Sequence, residues 1–305
     1  PMPAKPIAPA ATPSDAGTPP ASPVEGYLED FLLTDRISLE IGAALIPLVS
    51  ARRGPGLLDR IGGLRRDLAK QSGLWVPAVR VRDNIQLDPP VYRILIGGRE
   101  VARGDVRPDQ WMAIDPGGAT PIPLAGEAAR EPAFGLPARW ISETERNRAE
   151  MAGFTVVDAP SVIITHLGEV VRRHAAELLG REDLKAMIDK VRETSPAVVD
   201  EVIPTVVTMG TLHRVLTGLL AERVPITNLT RILESLATHA PTVKDPAELT
   251  ERVRADSGRA VVDRFRDPNG RIRAIVLDPR LKVDLRRTVQ NHPRPANVTG
   301  REVAV

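Results

Sequence analysis

The chain has 305 residues, more than one hydrophobic core of ordinary size needs, so we expect more than one domain. Its 41 basic and 39 acidic side chains nearly cancel, which does not favour a nucleic acid or another polyanion as a partner. Aromatic residues make up only 3%, too few for base-stacking surfaces, and the lack of cysteine excludes disulfides, thiolate zinc sites and cysteine nucleophiles. The apolar runs are too short to cross a bilayer and there is no secretory signal pattern, so we expect a cytoplasmic location.

Residues 1–35 have the composition of a tether followed by a docking linker. The first 24 residues contain eight of the 29 prolines and no aromatic residue, so they cannot bury enough apolar surface to offset the entropy of ordering. Residues 25–33 then place Tyr27, Leu28 and Phe31 among acidic residues. We expect this second segment to dock on the chain itself or on a neighbour.

The next part of the chain has the pattern of an α/β unit. Residues 38–49 predict a strand, and the leucines of residues 54–73 recur at the spacing of one helix face. Residues 77–83 and 91–98 predict two further strands, separated by the turn-forming sequence at 88–90.

A small α+β insertion is predicted for residues 109–157, which are rich in proline and glycine. The strand candidates are 112–114, 140–141 and 154–157, and a charged helix is expected over 143–152.

The pattern becomes helical after Ser161. Apolar residues of segment 165–180 recur at helical spacing, and Gly180 is expected to end this helix as a left-handed cap. Further helical patterns make residues 181–258 an all-helical module. Residues 259–305 predict one strand at 271–278 and one helix at 281–289, which is less than a complete domain.

Motifs for catalysis or metal binding are missing from the sequence. The five histidines lack the spacing of a helical zinc site, and the glycine pairs do not match a phosphate-binding loop. His174 and Glu177 could form an acid–base pair, but their position on an amphipathic helix favours a structural hydrogen bond. We therefore predict no metal, no cofactor and no enzymatic activity, with an α/β enzyme of unknown substrate as the alternative.

The loop 131–138, with the sequence EPAFGLPA, is a segment in which the residue pattern indicates a possible binding role. It places Phe134, one of only four phenylalanines, between two prolines and after the carboxylate of Glu131. Such a phenylalanine can fill a core, or it can stay partly exposed as an anchor for a partner, with Glu131 at the polar rim. Both interpretations are open at this point.

Several segments together resemble the FlhA/SctV family, the largest export-gate subunit of bacterial flagellar and virulence type III secretion systems. The forms ELLGRED and EPAFGLPA are more similar to the flagellar branch than to the virulence injectisome branch, which is the alternative. The matching segments are LEIGAALIPLV (39–49), LLDRIGGLRRDLAKQSG (57–73), RVRDN (80–84), YRILIGG (92–98), EPAFGLPARWI (131–141), GFTVVDAPSVIITHL (153–167) and HAAELLGRED (174–183).

The resemblance implies a fold of four subdomains. These would be a discontinuous α/β first subdomain (36–108 plus 158–180), an inserted small α+β, ferredoxin-like subdomain (109–157), an all-helical third (181–258) and a βαβ-like fourth (259–305). After residues 277–285 relatives continue for a further half-domain, so we expect the fourth subdomain here to be truncated. Either this subdomain is degenerate, or the chain is a fragment or carries an internal deletion.

The resemblance also implies a role. Family members resemble one another in forming a nine-subunit ring on the cytoplasmic side of the bacterial inner membrane, below a membrane-spanning half. There they meet other subunits of the export apparatus and dock flagellar export chaperone–substrate complexes, without catalysis.

Site residues are implied as well. Gly42 matches a glycine needed for subdomain movement, and its place within a predicted strand indicates a bend or a close backbone approach. The linker that contacts the adjacent ring subunit corresponds to Glu25, Tyr27 or Leu28, and Asp30. The chaperone-docking residues correspond to Glu131, Phe134, Val157, Val162 and Thr165.

Overall fold

The computed structural model describes residues 34–50, 55–115, 117, 122–258, 262, 266–267, 269–272 and 278–291. The predicted linker residues Glu25, Tyr27, Leu28 and Asp30 lie outside the described residues. So does most of the strand predicted at 271–278.

The first sheet has four strands in the order β2-β1-β3-β4. Its central strand β1 pairs in parallel with β2 and antiparallel with β3, and β3 pairs antiparallel with β4. Every second residue of β1 is fully buried, as expected for a strand with one face on a core. The bounds are β1 Ile37–Ile41, β2 Val79–Asp83, β3 Val91–Ile96 and β4 Arg99–Asp105.

The strand predicted over 38–49 is wrong beyond Ile41. The chain turns there into a short 3-10 segment, Ala43–Leu45, and the helical turn α1, Ile46–Val49. Pro47 lies in the first turn of α1, where its missing N–H has no helical partner to lose. The helix predicted over 54–73 is confirmed as α2, Leu57–Ser72.

The second sheet is antiparallel throughout, in the order β6-β7-β5-β8. All three strands predicted between 109 and 157, and the helix, are confirmed, whereas the edge strand β6 was missed because its sequence EAAR lacks β-branched residues. The described residues of this unit hold one helix, so its likeness to a ferredoxin-like arrangement stays a prediction. The bounds are β5 Trp111–Ile114, β6 Glu127–Arg130, β7 Pro137–Ile141, α3 Glu143–Met151 and β8 Thr155–Asp158.

The rest of the described chain is helical. The helix α4 begins directly after Asp158, whose carboxylate accepts from Ser161 N at 3.0 Å and forms an ion pair with Arg60 of α2 at 2.7 Å. The helices are α4 Ala159–Arg173, α5 Ala175–Leu178, α6 Arg181–Thr194, α7 Pro196–Val202, α8 Met209–Ala221, α9 Leu229–His239, α10 Pro246–Asp256 and α11 Pro279–Asn291.

The single helix predicted through residue 180 is wrong in two respects. Helix α4 ends at Arg173, and the chain restarts as the short α5 after His174. Gly180 has a φ of −82°, so it is not a left-handed cap. Its N–H instead donates to Asp183 Oδ2 at 3.0 Å, which makes Gly180 the N-cap of α6.

One continuous apolar core joins the first sheet, α2, α4 and the helices from α5 to α10. A second cluster of buried residues, Ala113, Leu124, Ile141 and Ala149, lies on the other face of the second sheet. The predicted mixed α+β class is confirmed, and the division into four subdomains stays a prediction. No helix in the described part of the chain is long and apolar enough to cross a membrane.

Candidate docking site

The loop between β6 and β7, residues 131–136, is held in shape by its own acid. Glu131 Oε1 accepts from Ala133 N at 2.8 Å, and Oε2 accepts from Phe134 N at 2.7 Å. Gly135 closes the turn with a φ of +72°, and its N–H donates to Glu131 O at 2.8 Å. We call residues 131–136 the Phe134 loop; its backbone is ordered by hydrogen bonds that Glu131 supplies.

Phe134 is 60% exposed at the tip of this loop, so the interpretation as a core plug is wrong. The rim position predicted for Glu131 is wrong too, because this residue is only 2% exposed. Its carboxylate is turned toward two backbone N–H groups, which a buried charge requires. Glu131 therefore shapes the loop that presents Phe134, rather than offering its charge to solvent.

An arginine of α4 attaches the Phe134 loop to the rest of the molecule. Arg173 Nη2 donates to Ala133 O at 3.0 Å, and Arg173 Nε donates to Glu169 Oε1 at 3.1 Å. Arg223, which follows α8, donates to the same Glu169 oxygen at 2.8 Å. Burial disfavours the charged carboxylate, but the hydrogen bonds from both arginines outweigh it and hold the pKa of Glu169 below its usual value.

A buried tyrosine–histidine pair lies near the loop, between the first sheet and α4. Tyr92 Oη and His166 Nδ1 are 2.8 Å apart, and their rings meet edge to face. Burial lowers the pKa of His166, although the negative charge of Glu131 opposes this, and burial also raises the pKa of Tyr92. Tyr92 therefore keeps its hydroxyl proton and shares a hydrogen bond with a neutral imidazole.

The three other predicted docking residues lie on β8 and α4, and only one of them is exposed. Val157 is half-buried, Thr165 is exposed, and Val162 is 1% exposed within the core. Val162 therefore packs α4 onto the core and offers no surface to a partner. Thr165 and Arg173 are eight residues apart on one helical row, about 12 Å along the axis, so α4 connects Thr165 to the Phe134 loop.

Gly42 lies at the end of β1, against the turn at 88–90. Its N–H donates to Val91 O at 2.8 Å, and a Cβ at this position would lie 2.3 Å from Asp88 O and 2.6 Å from Pro89 O. The predicted close backbone approach is confirmed. A role of Gly42 in movement stays a prediction.

The contacts that hold the loop were not visible as motifs. The i, i+4 pair Glu169–Arg173 is the one signal that the sequence carries. The partners Ala133 and Arg223 lie 40 residues before Arg173 and 54 residues after Glu169, and nothing local links them. The pair His174–Glu177 is a hydrogen bond of 3.1 Å, as expected for a structural contact.

The described residues thus form a mixed α+β scaffold that presents an exposed aromatic side chain on an ordered loop. The model of the FHIPEP family matches residues 8–302, and the chain belongs to this family. The family is a non-enzymatic component of the type III secretion export gate.

A curated relative matches most of the chain in sequence. The chain is 42% identical over 268 residues to the flagellar biosynthesis protein FlhA of Proteus mirabilis, covering 88% of this chain and 38% of that protein. The chain therefore spans little more than a third of the length of this curated relative.

Solved structures share the fold. The structure of the Chlamydia pneumoniae CdsV and CdsO complex matches with a TM-score of 0.73 and 28% identity, covering 84% of this chain and 78% of that one. The nonameric SctV-C of EPEC matches with a TM-score of 0.60 over 86% of this chain and 84% of that one, and its 17% identity makes this a likeness of fold alone.

Proposed function

We propose that the chain is a non-enzymatic docking platform of the flagellar export gate, on the cytoplasmic side of the bacterial inner membrane. In this role it binds complexes of export chaperones with their substrates. The observation that carries the proposal is the exposed ring of Phe134 on a loop whose backbone is already ordered. A pre-ordered loop loses little conformational entropy on binding, so more of the contact energy contributes to affinity.

The sequence identities favour the flagellar branch of the family over the injectisome branch. The chain is 42% identical to a flagellar biosynthesis protein and 28% identical to Chlamydia CdsV, its structural neighbour. The alternative is the corresponding subunit of a virulence injectisome. Titrating the chain in parallel with a flagellar chaperone and with an injectisome chaperone distinguishes the two.

The substitution Phe134→Ala tests the docking site. An aromatic anchor at an interface centre contributes on the order of 2 kcal/mol, so the affinity for a purified flagellar chaperone–substrate complex should fall more than tenfold. Isothermal titration calorimetry measures this change. The unfolding temperature should stay nearly constant, because the ring is mostly exposed.

The matched control is Met151→Ala, which removes another exposed apolar side chain, 83% exposed at the end of α3. We expect wild-type affinity from this variant. A folded Phe134→Ala protein that binds as tightly as the Met151→Ala protein would refute the docking site.

We further propose that copies of the chain assemble into a ring through residues 25–33, and that the assembled chain binds other export-apparatus subunits. The apolar and acidic side chains of this segment support the proposal, as does the fold shared with a nonameric neighbour. Deleting residues 1–33 should reduce self-association in sedimentation at high concentration and leave the unfolding temperature unchanged. A large drop in that temperature would show instead that the segment packs on its own chain.

A further inference from the structure

Three side chains connect the Phe134 loop to the helical part of the molecule. Arg173 donates to the loop carbonyl of Ala133 and to Glu169 Oε1, at 3.0 and 3.1 Å. Arg223 donates to the same Oε1 atom at 2.8 Å. We call Arg173, Glu169 and Arg223 the Glu169 bridge. It connects the Phe134 loop to α4 and, through Arg223, to the turn that follows α8.

The centre of the Glu169 bridge is buried. Glu169 is 5% exposed, although the side chains of both arginines are about half exposed. A buried carboxylate depends on each of its partners, because removing one leaves its charge incompletely compensated. When one arginine is lost, the carboxylate should therefore draw the other one closer.

The backbone of Arg223 is unusual. With a φ of +58°, it is the only non-glycine residue of the described chain in the left-handed region. Its N–H donates to Leu220 O at 3.0 Å, and Val224 N donates to Leu219 O at 2.8 Å, which is the hydrogen-bonding pattern of a helix C-terminus. Glycine is the favoured residue at such a position. An arginine there adopts a strained backbone while its side chain reaches Glu169.

We propose that Arg223 is a positioning residue for the Phe134 loop, acting through Glu169 and Arg173. With Arg223 in place, the charge of Glu169 is shared between two guanidinium groups, and Arg173 can hold the Ala133 carbonyl. Without Arg223, Arg173 turns toward Glu169 and its hydrogen bond to the loop weakens. The helical part of the chain thereby controls how well the loop is ordered. The consequence for partner binding rests on the proposed docking function, whereas the ordering of the loop does not.

Amide hydrogen exchange of Ala133, Phe134 and Gly135, followed by NMR on the whole chain, tests the proposal. The substitution Arg223→Gly removes the side chain, and the relieved backbone strain offsets part of the stability lost with the Glu169 contact. We expect loop exchange to be at least threefold faster in a protein that is still folded, with an unfolding temperature no more than a few degrees below that of the wild type. Arg223→Lys, which retains the positive charge, should restore part of the protection.

Two control variants provide a lower and an upper reference for the rate of loop exchange. Arg254→Ala removes an arginine that pairs with Glu222 and Glu251 outside the bridge, and it should leave loop exchange unchanged. Glu131→Gln removes the carboxylate that caps the loop itself, and it should accelerate exchange more than Arg223→Gly does.

A double substitution tests the route. If Arg223 acts through Glu169, then adding Arg223→Gly to Glu169→Gln should accelerate loop exchange no further. Wild-type exchange in Arg223→Gly, or an additive effect in the double variant, would overturn the proposal. Calorimetry with the chaperone–substrate complex judges the docking function separately: if Phe134→Ala binds normally, docking at this loop is refuted and the exchange result still stands.

Discussion

The two sheets of this protein differ in how their buried side chains are divided between apolar cores. The inward residues of the first sheet all belong to one continuous core that includes α2, α4 and the helices beyond. The second sheet divides its residues between two clusters: Met112 and Trp140 face the large core, while their neighbours Ala113 and Ile141 face a small cluster under α3. The alternation along each strand produces this division.

This difference explains where a docking loop can be placed. The Phe134 loop joins β6 and β7 at the edge of the second sheet, and polar contacts set its geometry. An exposed side chain there can be changed at little cost to the fold. The first sheet supplies the rigid base, and Gly42 and the Tyr92–His166 pair lie within it or at its border.

The sharpest test of the comparison removes one leucine from each core. Leu167 of α4 is fully buried in the large core, whereas Leu124 is 6% exposed in the small cluster. Leu→Ala substitutions in cores cost about 2–5 kcal/mol, and less where the site can relax. We expect about 4 kcal/mol for Leu167→Ala and about 2 kcal/mol for Leu124→Ala, measured by urea unfolding. Equal losses would contradict the idea that the two cores differ in packing.

Gly42→Ala should have the next largest effect. The added Cβ would meet backbone oxygens of the 88–90 turn at 2.3 and 2.6 Å, and backbone cannot move as easily as a side chain. We expect a loss of about 1–3 kcal/mol, as for other overpacked sites, in thermal or urea unfolding.

The control for this change is Gly63→Ala in the middle of α2, where an added Cβ meets nothing within 4 Å. Alanine there should stabilise the protein by about 0.5–1 kcal/mol. If Gly42→Ala is stabilised as Gly63→Ala is expected to be, the close approach at Gly42 does not limit that position.

The smallest effect is the pH dependence at His166, where α4 packs on the first sheet. Burial lowers the pKa of His166 below its ordinary 6.5, so the unfolded chain takes up this proton first as pH falls. The stability that neutral His166 contributes is therefore complete above pH 6.5 and decreases below it. We expect the unfolding temperature to fall between pH 7.5 and pH 5.5, and to fall less in His166→Gln, which retains an acceptor for the Tyr92 hydroxyl. Identical slopes would exclude His166 as the source.

Elements with a strong local pattern were predicted well. The apolar spacing of α2 and the charged sequence of α3 are confirmed close to their predicted bounds. The errors have two different causes. Strand β6 forms because β7 lies beside it, which its own sequence does not indicate. Gly180 caps the start of α6 through Asp183, three residues on, which is a local signal that the helical pattern of residues 165–180 obscured.

The candidate docking site also combines a local sequence signal with contacts that the sequence did not indicate. The proline and glycine pattern around Phe134 was enough to single out a loop, but exposed and buried states of Phe134 were both compatible with it. The cap that Glu131 forms is local, because its carboxylate accepts from the N–H groups two and three residues on, but its burial depends on elements elsewhere in the chain. Burial of Val162 depends on the packing of α4 against the first sheet.

The sequence by itself determined the family resemblance, the mixed α+β class, most helices and strands, and the position of the candidate loop, because these depend on residue types at short spacing. Only the tertiary structure decided that Phe134 is exposed, that Glu131 is a buried cap and that Arg173, Glu169 and Arg223 meet. Those facts arise from contacts between residues 40 or more positions apart, or from burial by elements elsewhere in the chain, and no local pattern encodes which distant groups will share one buried charge.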